Sequence, residues 1–197
     1  MQVNLRALTG NWSSGYALDK HLISSTYIGV NEYGRDQFNN RRTEVGESSY
    51  QLKYKQDWSQ AAPLAKAIFD NIFPKLSAVG LLIPMVASTP RPRQPVLEVA
   101  KELGKLAGLP VFENLLTKKA GGSSLKNLTT RDQKKEALAT SGFTLATTDG
   151  FTTDGQWNAL VIDDVYHTGA SMEAACAVLS AHPKIRSIYV ATLTHRG

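Results

Sequence analysis

Apolar residues in this chain gather in short runs separated by polar, turn-rich stretches, and the runs alternate between strand-like and helix-like spacing. Ala78 to Ile83 and Ala159 to Ile162 are apolar runs of strand length, the form taken by strands whose sheet is covered on both faces. Between them, Pro95 to Ala107 reads as a helix stopped by Gly108, and Leu109 to Phe112 as another short strand. Ser171 to Ala181 places Met172, Ala175, Cys176 and Leu179 on one helical face, and Ile188 to Leu193 is a last apolar strand. Strand, helix and strand in this order predict an α/β fold, a central mostly parallel sheet of at least four strands flanked by helices. Upstream, Asn11 to Asn40 is rich in Ser, Asn, Gly and Tyr, with Thr26 to Val30 as its clear strand candidate. Tyr50 to Tyr54 alternates as a second strand would, after which Asp57 caps a helix that runs to about Asn71 and ends at Phe73-Pro74. The pattern divides the chain into an amino-terminal segment, 1–75, and a core, 76–197, within one compact unit.

The junction WNALVIDDVYHTGASMEAACAVLSA, Trp157 to Ala181, is where chemistry enters. Asp163 and Asp164 follow the apolar run directly, where the strand is expected to emerge at the carboxyl edge of the sheet, the ligand crevice of open α/β folds. The chain then turns through Val165, Tyr166, His167, Thr168 and Gly169 into Ala170 and Ser171 at the start of the helix. Unpaired N–H groups at a helix start, the positive end of its dipole, and the hydroxyls of Thr168 and Ser171 suit a phosphate. Adjacent carboxylates repel, so two at a sheet edge carry a cost that a metal ion or a sugar diol offsets. The plainer alternative is a turn capped by Thr168 or Ser171 with both acids solvated. The spacing is neither GxxxxGK[ST] nor GxGxxG. A site for a phosphorylated sugar is the chemistry these residues point to.

Composition narrows the picture. The 197 residues, 42% of them hydrophobic, suffice for one well-cored α/β domain and a small appendage. No run approaches the roughly 18 apolar residues of a membrane span, and the polar start is no secretory signal, so the cytoplasm is expected. One cysteine, Cys176, leaves neither an intrachain disulfide nor a cysteine-rich zinc site, and its predicted burial makes it a poor nucleophile. A net charge of +5 and a pI of about 9.3 call for an anionic partner, which either nucleic acid or a polyphosphate satisfies.

VIDDVYHTGAS resembles the phosphoribosyl diphosphate (PRPP) binding motif of type I phosphoribosyltransferases, an apolar strand followed by DDxxxTGxS. The resemblance implies that Asp163 and Asp164 are the catalytic pair, binding the ribose 2′- and 3′-hydroxyls, and that Val165, Tyr166, His167, Thr168, Gly169, Ala170 and Ser171 hold the 5′-phosphate. His167 departs from the family, which usually has a small hydroxyl residue there. The family's pyrophosphate loop falls on PMVASTPRPRQP, implying Ala87, Ser88, Arg91 and Arg93; a stiff exposed connection is the alternative. Thr117 to Lys135 falls on the family's flexible loop, implying Lys118, Lys119 and Arg131 as pyrophosphate contacts on closure, against a plain surface loop. Segment 1–75 would form a small amino-terminal hood, with Asp19 and His21 as candidates for acceptor binding, against the plainer alternative of a surface Asp and His near a helix start. Mg²⁺ is the implied cofactor, bound mainly through substrate oxygens, with Asp163 and Asp164 as the available protein ligands.

Gly15 to His21, Arg42 to Tyr54, Pro90 to Gln94 and Leu128 to Leu138 further resemble, in order, segments of the ComF-type, amidophosphoribosyltransferase-like branch linked to competence, without its zinc ribbon. The implied activity is transfer of a 5-phosphoribosyl group from PRPP to a nitrogen acceptor, a nucleobase or amine, with release of pyrophosphate. The alternatives are a PRPP-binding regulatory module without transfer and a basic protein handling single-stranded nucleic acid. A homodimer is compatible with any of these.

Overall fold

The computed structural model describes residues 1–87, 89, 91–118, 142–146, 150–152 and 154–196. Nine strands are described: β1 (Arg6–Ala7), β2 (Ser14–Lys20), β3 (Leu22–Val30), β4 (Asp36–Arg42), β5 (Leu81–Pro84), β6 (Leu116–Lys118), β7 (Phe143–Leu145), β8 (Trp157–Tyr166) and β9 (Ile185–His195). The α-helices described are α1 (Glu44–Tyr54), α2 (Ala61–Asn71), α3 (Pro95–Ala107) and α4 (Ala170–Ser180). β1, β2, β9, β8 and β5 form the central sheet in that order, with every pairing parallel except β1 with β2. Val111 adds a parallel bridge to Leu82 beyond β5, which makes the sheet the α/β architecture expected.

Alternation along the strands sorts the core into two layers. Ala159 and Val161 of β8 pack with Met172, Cys176 and Leu179 of α4, whereas Leu160 and Ile162 pack with Leu52, Leu64, Ile68 and Leu103 of α1, α2 and α3. Residues on both sides of position 75 share the second layer, since Leu18 of β2 and Leu52 of α1 meet Leu82 and Leu160 there. Segment 1–75 thus contributes β1, β2, α1 and α2 to the body of the fold, and the part of it that stands off the central sheet is the β3–β4 hairpin. β2 runs parallel to β9 and β8, so it delivers that hairpin at the same carboxyl edge where Asp163 and Asp164 lie.

Several elements depart from the sequence pattern. Tyr50 to Tyr54 is the last part of α1 and not a strand. The Tyr-x-Leu-x-Tyr alternation fits both periods, but Val45, Ser49 and Leu52 are buried at helical spacing and Thr43 caps the helix by accepting from Gly46 N at 3.0 Å. Burying Leu52 and Val45 contributes about 1.5–3 kcal/mol each, enough to override local alternation. β8 continues past both acids to Tyr166, because β9 remains beside it as far as His195. Asp57 caps a 3-10 turn, Trp58–Gln60, that leads into α2. The Ala78–Ile83 strand narrows to Leu81–Pro84, and Thr26 to Val30 is the second half of β3.

Candidate functional site

The carboxyl edge of the sheet brings Asp163, Asp164 and the turn into α4 together. Asp164 projects toward the α1 layer, where Lys53 Nζ grips its Oδ2. Its backbone N–H donates to Asp163 Oδ1 at 2.8 Å, and its carbonyl accepts from Thr194 Oγ1 at 3.1 Å. Asp163 projects toward the α4 layer, paired in register with Thr192, whose buried hydroxyl has no hydrogen-bond partner. Burial first, and the Asp164 carboxylate second, push the Asp163 carboxyl up to about 8, with Lys53 pulling the other way. A carboxyl so placed carries a proton at neutral pH and can donate as well as accept.

Beyond the acids the chain turns tightly. Gly169 has φ 81° and ψ −13°, and a Cβ there would come 2.6 Å from Tyr166 Oη, so conformation and space both require glycine. Tyr166 itself is fixed edge-on to Trp12, with ring centroids 6.4 Å apart. Glu173 N donates to Gly169 O at 2.8 Å and starts the α4 ladder, while His167, Thr168 and Ser171 are exposed around the open helix start. That arrangement presents backbone N–H groups and hydroxyls at a helix terminus.

The loop after β5 begins beside the acids, since Met85 N donates to Ile162 O at 2.8 Å. Ala87 is exposed there. Arg91 Nη1 donates to Lys53 O at 2.6 Å, so Arg91 joins the cluster through the helix that carries Lys53. Arg93 turns away to α3, ion-paired with Glu98 and stacked 4.4 Å over Trp58. Lys118 ends β6, its Nζ 5.0 Å over the Phe143 ring. Ser88, Lys119 and Arg131 lie outside the described residues, as does most of the expected flexible loop. Cys176 is fully buried, and burial pushes its thiol up to about 12.

Among the described residues, no three His, Cys, Asp or Glu side chains gather to hold a metal by themselves. Two adjacent carboxylates and an unpartnered buried hydroxyl instead fit an ion such as Mg²⁺ that takes most of its oxygens from a substrate and water. Sequence reasoning did not single out Lys53, Thr192 or Thr194. Lys53 was hidden by the misread helix; the two threonines were visible as alternate polar positions closing an otherwise apolar strand. His21 and Asp19 sit where β2 meets β9, with His21 N donating to His195 O at 2.9 Å and Asp19 paired in register with Thr194. Among the described residues no helix is long and apolar enough to cross a membrane.

No protein-family model and no curated protein matches the chain. Solved structures that the chain is similar to include adenine phosphoribosyl transferase from Trypanosoma brucei in complex with AMP, pyrophosphate and ribose-5-phosphate, at 10% identity and a TM-score of 0.49 over 97% of this chain and 74% of that one. Adenine phosphoribosyltransferase from Saccharomyces cerevisiae is 11% identical, with a TM-score of 0.42 over 86% of this chain and 84% of its own. A hypoxanthine phosphoribosyltransferase from Staphylococcus aureus is 12% identical, with a TM-score of 0.43 over 71% and 65% of the two chains.

Proposed function

We propose that the protein binds PRPP with Mg²⁺ at the carboxyl edge of β8 and transfers its 5-phosphoribosyl group to a nitrogen acceptor. The observation that carries this reading is the acid pair itself: one carboxylate fixed by Lys53, the other in register with a buried hydroxyl that has no partner, and a glycine turn opening directly onto a helix start. A ribose diol offers two donors and two acceptors; the Asp164 carboxylate accepts from one hydroxyl, and the single proton of Asp163 is donated to the other. The 5′-phosphate takes the N–H groups and hydroxyls from His167 to Ser171, and the pyrophosphate lies along Ala87 toward Arg91. Magnesium, held by substrate oxygens with the acid pair available to it, supplies neutralisation of the charge that grows on departing pyrophosphate. Lys53 orients Asp164 through its ion pair, and the β3–β4 hairpin, which leaves β2 at the same edge, serves as a hood that limits water at the reacting carbon. The order of segments supports placement in the ComF-type branch, without its zinc ribbon.

Calorimetric titration of PRPP with and without magnesium tests the reading. Binding should require magnesium, and the Asp163→Asn/Asp164→Asn variant should bind about 100-fold more weakly or not at all, a charged hydrogen bond from Asp164 being worth about 1.5–3 kcal/mol and a neutral one from Asp163 about 0.5–1.5 kcal/mol. A folded wild type that does not bind PRPP sinks the proposal. Salt-sensitive binding of an oligonucleotide, equal in wild type and variant, would put nucleic acid in its place.

A further inference from the structure

We propose that His21 is the base that receives the acceptor's proton during phosphoribosyl transfer, an assignment that rests on the reading of the site given above. The argument starts from one hydroxyl. Thr194 Oγ1 has a single proton and lies 3.1 Å from Asp164 O, a carbonyl that can only accept, so the proton is spent there. His21 Nδ1 is 3.3 Å from the same Oγ1, and a hydroxyl that has given its proton can only accept from it. Nδ1 therefore carries the ring hydrogen, and a neutral His21 presents a bare lone pair on Nε2. Thr194 fixes the tautomer and, through the Asp164 carbonyl, ties the imidazole to the acid pair.

The surroundings keep that imidazole neutral. Arg196 follows β9, Arg42 ends β4, Lys53 comes from α1, and Asp164 on β8 is the opposing charge. Burial lowers the His21 pKa first, Arg196 and Arg42 lower it further, and Lys53 adds to them against Asp164. The backbone is clamped on both sides. His21 N donates to His195 O, and its carbonyl lies against α1, where a Cβ on Gly46 would come within 2.2 Å. Neighbouring strands lie about 4.8 Å apart, so β2 is about 10 Å from β8 across β9, room for the ribose on the acids and the acceptor's near edge beside His21. The acceptor nitrogen forms its bond to ribose C1 with its lone pair as the C1–O bond breaks, and that electron pair leaves on pyrophosphate. The N–H proton passes to His21 Nε2, and the imidazolium, destabilised by its three cationic neighbours, releases it to water.

Two measurements on the intact chain test this. A long-range ¹H–¹⁵N correlation spectrum at pH 7 should show His21 protonated at Nδ1 and bare at Nε2, titrating below 6.5. Pyrophosphate release from magnesium PRPP is then followed with adenine, hypoxanthine, orotate and ammonia as acceptor probes. His21→Gln keeps an amide that can donate to Thr194, so it should fold and bind PRPP as wild type does. It should lose about 10²–10⁴-fold in kcat together with the acid limb of the pH profile. An Nε2–H tautomer, or a Gln variant with wild-type rate and acid limb, overturns the assignment. So does a wild type that binds PRPP yet turns over none of the probes, an outcome that leaves the PRPP reading standing; absent PRPP binding removes both.

Discussion

Asp163 and Asp164 are neighbours in sequence and opposites in environment. Strand alternation sends Asp164 toward the α1 layer, where Lys53 pairs with its carboxylate, and Asp163 toward the α4 layer, the side of Val161 and Met172, in register with Thr192, whose hydroxyl has no partner. One is a fixed anion with a cation beside it. The other has its proton held on by burial and by the first. A sheet edge built for stability alone would compensate both acids or replace one, so the asymmetry is a cost to stability, and the proposed ligand site is what would offset it.

The contrast depends on how closely α1 approaches the sheet, and the largest effect should come from disturbing that approach. Gly46 lies against His21 O and Thr43 Oγ1, which a Cβ would meet at 2.2 and 3.1 Å. The nearer atom is backbone and cannot swing aside. Gly46→Ala should therefore cost about 2–3 kcal/mol in urea unfolding, the upper range for overpacking, and draw Lys53 away from Asp164. A variant within about 0.5 kcal/mol of wild type, the ordinary scatter of surface substitutions, would mean that α1 is not wedged there.

On the other face, Asp163→Asn should raise stability. The folded carboxyl is raised to about 8 from an ordinary 3.8, so between these values the folded state binds more protons than the unfolded one, and wild-type stability falls as pH rises through the window. Asparagine does not titrate. The advantage of the variant should be negligible near pH 4 and reach on the order of 2 kcal/mol by pH 9, while PRPP binding weakens. Wild-type and variant stability curves that run parallel from pH 4 to pH 9 would show that Asp163 is not the strained member of the pair.

Much of the fold was legible because it is local. β5, β9, α3, α4 and the Gly169 turn follow from apolar runs, caps and one positive-φ glycine, all within short windows. The acid pair was legible too, since two aspartates closing a buried strand are conspicuous. What makes the two acids different was not. Lys53 is 111 residues from Asp164, and its helix reads as a strand when the five residues from Tyr50 are taken alone. The hairpin was half seen: Tyr27 and Phe38 pair edge to face with about half of each side chain still exposed, so no core pattern announced β4.

The smallest effect sharpens the comparison most, because it couples the two faces. Lys53 pairs with Asp164 directly and also lowers the pKa of Asp163 through space. Lys53→Met keeps the length of the side chain and removes the charge, leaving two carboxyls at the edge with no cation beside them. With Lys53 31% exposed, screening by water limits the loss to about 1 kcal/mol at pH 8. The loss should shrink toward pH 4, where Asp163 holds its proton in either protein and less repulsion is left to relieve. Lys53→Arg should recover it. Adding Asp163→Asn to Lys53→Met should remove most of the pH dependence, a coupling that a double-mutant cycle at pH 5 and pH 8 reads directly. If the cycle gives the same coupling at both pH values, Lys53 serves Asp164 alone and the two faces of β8 are electrostatically independent.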